Sequence, residues 1–290
     1  MTILAESGAT KTDWRSIASD GTVYSMRSTG MNVATADVAF LEKTLREAIP
    51  KLNPSGETVE RIHFYAAGMI STPGNPVPEG AVRLHNEFIK AFPEAEVAYA
   101  SDLLAAARAL FGRKPGIAVI LGTGSNSCEY DGKQIVKNVR SGGFILGDEG
   151  GGASLGRQFV SDFLKGIVPE PVASEFAAKY DMEYFNVVKN VYRGPSPASY
   201  LGSFAPFIME HYDSCLYIKC LVDNNFRALF ERCLLQYDIE GKPVGVVGGF
   251  GFAHKEILLR VAQEYGVGIS DIVSSPIEGL VKYYIEDNEN

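Results

Sequence analysis

The residues best placed to do chemistry in this 290-residue chain are gathered in glycine-rich turns. The densest stretch runs Leu121-Gly122-Thr123-Gly124-Ser125-Asn126-Ser127, then Gly142-Gly143-Phe144-Ile145-Leu146-Gly147-Asp148-Glu149-Gly150-Gly151. Glycine lets a backbone approach an anion, and successive N–H groups in such a turn point into one concavity, with the Thr123 and Ser125 hydroxyls beside them. Asp148 and Glu149 offer two carboxylates for the hydroxyls of a polar substrate or for a metal ion. Two further turns have the same character: Ser7-Gly8-Ala9-Thr10-Lys11-Thr12 and Gly248-Gly249-Phe250-Gly251. One glycine turn after a strand is ordinary, but three at strand ends favour a nucleotide site. The Gly-x-x-x-x-Gly-Lys-Ser/Thr loop is absent, and Gly122-Thr123-Gly124 leads into a strand where a dinucleotide fingerprint leads into a helix. Hydride transfer is therefore disfavoured.

The elements that must position these residues follow from hydrophobic period and breakers. Thr2 to Glu6, Asp13 to Ala18 and Val23 to Ser28 read as an antiparallel meander, with Asp20-Gly21 as a hairpin turn. A helix over Phe40 to Ile49 is expected to stop at Pro50. Strand Arg61 to Ala67, helix Ala81 to Phe92 and strand Glu96 to Ala100 form a parallel crossover. Ser101-Asp102 caps a helix from Leu103 to Phe111. After a linker at Gly112 to Gly116 the opening plan repeats: strand Gly116 to Leu121, glycine turn, strand Asn126 to Tyr130, Asp131-Gly132 turn, strand Gln134 to Val139. Helices then dominate, expected at Ala153 to Lys165, Val172 to Tyr180, Tyr184 to Tyr192, Ala198 to His211 and Leu216 to Tyr237. Strand Pro243 to Val247, helix Ala253 to Tyr265, strand Ile269 to Val273 and helix Ile277 to Glu286 close the chain.

Length favours two domains, and 46% apolar with 21% charged residues suits a globular chain with a full core. A net charge of -8 argues against nucleic-acid and anionic-membrane surfaces, which need clustered cations. No eighteen-residue apolar run and no basic segment followed by an apolar one occur, so a cytoplasmic, reduced protein is expected. Cys128, Cys215, Cys220 and Cys233 lack paired spacing and are expected as buried small hydrophobes. His63, His85, His211 and His254 read as structural.

These motifs resemble the superfamily of sugar kinases, heat-shock chaperone ATPases and actin, and within it the N-acetylglucosamine kinase and benzoyl-CoA reductase ATPase family. Glu6 to Thr12 aligns with the first phosphate motif, Gly122 to Asn126 with Gly-Thr-Gly-Ser-Asn, Gly147-Asp148-Glu149-Gly150 with Gly-Asp-Glu-Gly, and Gly248 to Gly251 with the adenosine-side turn. The resemblance spans nearly the whole chain. It implies an α/β fold of two ribonuclease-H-like, actin-like ATPase domains around a nucleotide cleft: residues 1–113 with a returning helix 276–290, and residues 114–275 with a helical insertion 153–238.

It also implies ATP-dependent phosphorylation of an amino sugar, N-acetylglucosamine to its 6-phosphate first, using Mg²⁺, in a homodimer. Asp102 is then the catalytic base. Thr10, Lys11, Thr12, Gly122, Thr123, Gly124, Ser125, Gly248, Gly249, Phe250 and Gly251 hold ATP and its phosphates. Asn32, Asn126, Gly143, Phe144, Asp148 and Glu149 hold the sugar, and Glu6 holds Mg²⁺ through water. Glu6 stands where the family has Asp, and its extra methylene carries the carboxylate outward by roughly one bond length. The segment from Gly143 to Gly147 is shorter than the family spacing.

Each residue also has a bland reading. Asp102 as helix cap, Lys11 as a solvated hairpin tip, Asp148-Glu149 as an acidic pair at a helix start and Asn32 as turn chemistry are the alternatives. Two rival functions stay open: an ATPase driving a redox partner, of the 2-hydroxyacyl-CoA dehydratase activator type, and a non-catalytic sugar sensor.

Overall fold

A computed structural model of the chain describes residues 1–8, 11–31, 33, 37–69 and 79–288. It divides into two compact units, Met1–Lys114 with Gly132–Gln134 and Ser275–Asn290, and Pro115–Asp131 with Ile135–Ser274.

In the first unit β1 (Thr2–Ser7), β2 (Lys11–Ile17) and β3 (Val23–Thr29) form the meander, and β4 (Arg61–Ala66) and β5 (Glu96–Ser101) add parallel strands, in the order β3-β2-β1-β4-β5. Helices α1 (Val38–Leu52), α2 (Glu79–Ala91) and α3 (Asp102–Phe111) belong to this unit. One layer of its core lies under Trp14, Phe64 and Phe88, whose rings meet at 5.9–6.3 Å. In the second unit β6 (Gly116–Leu121), β7 (Ser125–Tyr130) and β8 (Ile135–Val139) repeat the meander, with β9 (Val244–Val247) and β10 (Ile269–Val273) parallel to β6. The order β10-β9-β6-β7-β8 is the first sheet's plan read from the other edge.

Between β8 and β9 lie α4 (Gly143–Leu146), α5 (Gly152–Leu164), α6 (Val172–Lys179), α7 (Tyr184–Arg193), α8 (Pro197–Gly202), α9 (Ala205–Glu210) and α10 (Leu216–Arg232). They bury an aromatic cluster centred on Phe176, which meets Phe159, Phe163, Phe204 and Phe207 at 4.8–5.2 Å. α11 (Gly249–Ala253) and α12 (Lys255–Glu264) separate β9 from β10. α13 (Ile277–Asn288) belongs to the first unit, where Ile277, Leu280 and Tyr284 pack on Leu4, Ile17 and Tyr65.

Several expected boundaries shift for physical reasons. α1 runs through Pro50 to Leu52, because the proline removes a single helical bond while buried Leu52 anchors the last turn. The Leu52 carbonyl accepts from Ser16 Oγ at 2.5 Å, which satisfies the frayed end. The helix expected over Ala198 to His211 is two, α8 and α9, parted at Gly202, with Pro206 in the first turn of the second. The one expected over Leu216 to Tyr237 ends at Arg232 and leaves a 3₁₀ turn, Leu234–Gln236. The helix expected from Ala253 is preceded by α11, so Gly249, Phe250 and Gly251 are helical. Cys128 and Cys233 are buried as expected, but Cys215 is half-buried and Cys220 exposed. Among the described residues no helix is long and apolar enough to cross a membrane.

Candidate active site

In the first unit the carboxylates Glu6 and Asp102 stand at the C-terminal ends of β1 and β5, the two parallel neighbours of β4. Asp102 opens α3, but Ser101 caps it: Ser101 Oγ accepts from the Leu104 N–H at 3.2 Å. Asp102 Oδ1 accepts from the first-turn Leu103 N–H at 2.9 Å, which holds the carboxylate in place and leaves Oδ2 for another partner. Burial raises its affinity for a proton against the pull of the Leu103 N–H. Glu6 is pushed up to about 7, first by burial and then by the negative charges of Asp102 and Asp13.

The first turn is stitched by a relay of hydroxyls. The Met31 N–H donates to Ser7 Oγ at 2.8 Å, Ser7 Oγ and Thr12 Oγ1 are 2.8 Å apart, and Thr12 Oγ1 donates to the Thr29 carbonyl at 3.0 Å. Thr12 is fully buried and its one hydroxyl proton is spent on the Thr29 carbonyl. Lys11 is ion-paired though its side chain is exposed: its ammonium lies 2.8 Å from Asp13 Oδ2, and Arg27 Nε lies 2.7 Å from Asp13 Oδ1. Those cations hold the Asp13 carboxyl below the usual range despite its burial. Thr10 and Asn32 lie outside the described residues.

In the second unit the three glycine segments converge on the end of β6. A Cβ on Gly248, whose φ is 137°, would stand 2.4 Å from the Leu121 carbonyl oxygen, and one on Gly251 would stand 3.1 Å from the Leu121 side chain. A Cβ on Gly151 would stand 2.9 Å from the Thr123 oxygen, and one on Gly124 would stand 2.9 Å from Asp148 Oδ2. At Gly248 and Gly151, where the Cβ would meet backbone atoms, only glycine fits. The first N–H groups of α5 are consumed here, Gly152 donating to the Gly122 carbonyl at 2.9 Å and Ala153 to that of Thr123 at 2.8 Å. Gly122 N–H turns inward to the Gly124 carbonyl at 2.9 Å, Ser125 N–H to Asp148 Oδ1 at 3.2 Å, and Gly248 N–H to the Val273 carbonyl at 2.8 Å. The N–H groups of Gly122, Ser125 and Gly248 are thus spent within the protein. Thr123 and Gly124 keep N–H groups outside any backbone pair among the described residues.

Asp148 is the one described non-glycine residue with positive φ, at 57°. Its conformation is fixed from three sides: its N–H donates to Ser141, its carbonyl accepts from Gly151, and its carboxylate takes the Ser125 N–H. Burial, and then the charge of Glu149, raise its proton affinity against that bond. Glu149 pairs with Arg232, Nε to Oε1 at 2.9 Å, and the buried Cys233 thiol lies 3.9 Å from Oε2. The thiol is pushed up to about 11 by burial and by Glu149. Neither carboxylate sits in the first turn of α5, so the reading as a helix-start pair fails. Asn126 Oδ1 accepts from the Ser127 N–H and from Asn138 Nδ2, both at 2.9 Å. Gly143 opens the short α4, Phe144 leans on the helical core, and Ile145 and Leu146 are exposed.

Sequence reading missed Ser7, Asn138, Arg232 and Cys233. Asn138 had a findable signal, since the Asp131-Gly132 hairpin sets it opposite Cys128 on the face that carries Asn126. Arg232 had none, because it reaches Glu149 from 83 residues away in sequence.

Duplicated sheets, converging glycine turns and half-buried carboxylates at strand ends define a sugar kinase of the actin-like ATPase fold, and the likeness to solved structures agrees. The chain aligns with a candidate N-acetylglucosamine kinase of Porphyromonas gingivalis at 36% identity, over 99% of this chain and 100% of that one, with a TM-score of 0.89. A candidate N-acetylglucosamine kinase of Chromobacterium violaceum shares the fold at 19% identity, over 97% of this chain and 98% of that one, with a TM-score of 0.73. A ROK-family glucokinase of Streptomyces griseus, solved with glucose and AMPPNP, does so at 15% identity over 100% and 99%, with a TM-score of 0.57. No family profile and no curated protein matches the sequence. The chain belongs to the N-acetylglucosamine kinase family.

Proposed function

We propose that this protein transfers the γ-phosphoryl group of ATP to a hydroxyl of an amino sugar, N-acetylglucosamine first, yielding the 6-phosphate. The observation that carries the substrate class is the 36% identity along the full length of the Porphyromonas gingivalis protein. The geometry supports the chemistry residue by residue. Asp102 accepts the proton of the attacking hydroxyl through Oδ2, and its raised proton affinity makes it a stronger base than an ordinary carboxylate. On the second unit the N–H groups of Thr123 and Gly124 suit phosphate oxygens, and on the first unit the Lys11 ammonium does. Asn126, Asp148 and Glu149 hold sugar hydroxyls, with Gly143 and Phe144 beside them.

Among the described residues no group of three or more His, Cys, Asp or Glu forms a metal cage. Mg²⁺ on a nucleotide needs none, because it keeps waters and phosphate oxygens and takes only one or two carboxylates. Glu6 is crowded by the negative charges of Asp102 and Asp13, which Lys11 offsets only in part, so its surroundings favour a cation and the residues fit. When bound there, the ion would neutralise charge on the transferring phosphoryl group. A homodimer in the cytoplasm completes the reading, and Phe185 and Tyr192, exposed seven residues apart on α7, support a second copy.

The test is ADP release with Mg²⁺-ATP against N-acetylglucosamine, N-acetylmannosamine, glucose and no sugar. Release that depends on an N-acetylhexosamine is expected. Sugar-independent release would replace this reading with a partner-driving ATPase, and sugar binding without release would replace it with a sensor.

A further inference from the structure

Asn126 and Asn138 hold each other in one orientation that backbone atoms dictate. The Ser127 N–H can only donate, so the Asn126 atom facing it at 2.9 Å must be the amide oxygen. The Ser127 carbonyl can only accept, so the Asn138 atom facing it at 2.7 Å must be the amide nitrogen. That same nitrogen donates to Asn126 Oδ1 at 2.9 Å, and it lies 3.2 Å from the Val139 carbonyl. Strand register explains the reach: Cys128 pairs with Asn138, and Asn126, two residues along β7, shares their face as the diagonal neighbour. With two donors converging on its oxygen, Asn126 presents only its NH₂ group to a ligand.

We infer that Asn138 is a positioning residue that makes Asn126 a hydrogen-bond donor to the sugar, and so sets which polar substituents this subsite accepts. This rests on the amino-sugar reading of the site. A donor recognises an oxygen or fluorine that can accept, whereas an amide presenting its oxygen would require a hydroxyl that can give a proton. Asn138→Asp replaces the orienting donor with an acceptor that draws the Asn126 NH₂ inward against the Ser127 N–H, so the single orientation is lost.

The test is calorimetric binding of N-acetylglucosamine and of its deoxy and fluorodeoxy analogues at ring positions 3 and 4, to the wild-type protein, Asn138→Asp and Asn138→Ala. Melting curves of each variant accompany it. Asn138 is exposed, so both variants should keep the fold. In the wild type a fluorine should bind about fivefold tighter than hydrogen at one position, the scale of one hydrogen bond. That preference should weaken in both variants, most in Asn138→Asp, with the melting temperature unchanged. An identical fluorine-over-hydrogen preference in all three proteins, or none in the wild type, overturns the inference. Sugar binding without sugar-dependent ADP release sinks the kinase reading alone, since the analogue pattern still judges Asn138. Absence of any sugar binding overturns both.

Discussion

Asp102 and Glu6 lie at the ends of strands that flank β4, and both carry protons more tightly than exposed carboxylates do. Asp102→Asn keeps the shape and the Leu103 bond but cannot take a proton. Turnover should fall by about 10²–10⁴ while calorimetry still finds sugar binding, and a variant with wild-type turnover would remove Asp102 from the base role. Glu6 acts on stability. Its pKa is about 7 when folded and near 4.5 unfolded, so the folded state binds the extra proton between those values. The associated stability is complete below pH 4.5 and is lost as pH rises through about 7. Urea midpoints without divalent cation should therefore show Glu6→Gln gaining about 2 kcal/mol on the wild type between pH 4.5 and 8, the ideal value reduced for partial hydration. Parallel curves would refute this, and Mg²⁺ should flatten the wild-type slope by favouring the ionised carboxylate. Asp148 and Asn126 were singled out by the glycine motifs that hold them, and Asp102 by the resemblance alone. Their partners were not, because Arg232 and Ser7 act across folds of the chain that no local pattern encodes.

Glycines control the elements of the second unit. Gly248 joins β9 to α11 at a φ of 137°, where a methyl group would meet the Leu121 carbonyl oxygen at 2.4 Å. Gly248→Ala should cost about 2–4 kcal/mol from the strained backbone together with overpacking, read from its urea midpoint. Exposed Gly241, with nothing near its Cβ position, is the control: alanine there should cost much less, through its φ of 70° alone. Equal costs at both positions would show that close packing at the end of β6 is unimportant. The strands were readable because apolar runs ending on glycine or Asp-Gly turns mark them without tertiary help. Helix ends were harder. Pro50 ends a helix in isolation, yet the buried Leu52 and the Ser16 hydroxyl carry α1 beyond it. Gly202 and Pro206 did signal the break between α8 and α9, whereas helical periodicity alone ran across it.

At the scale of the whole molecule, two sheets of one plan show a duplication that the repeated strand, turn and hairpin order already indicated. The second copy carries the helices between β8 and β9, while the first is completed by α13. α13 covers Leu4, Ile17 and Tyr65, and its Tyr284 hydroxyl lies 2.6 Å from that of Tyr65, which also takes Arg108 at 2.7 Å. It approaches α3 so closely that a Cβ on Gly279 would stand 2.4 Å from the Ala109 carbonyl. Removing residues 275–290 should abolish the cooperative melting of the first unit and leave that of the second, seen as one calorimetric transition lost and one kept. A truncated chain melting like the full one would show that α13 is dispensable. Protein synthesis gives this arrangement a further meaning. The ribosome makes the helix that seats Asp102 early and its buttress only after the whole second unit, so a nascent chain halted before residue 275 holds a finished second unit and an unfinished first. The unit that carries Asp102 is thus finished only once α13 has been made.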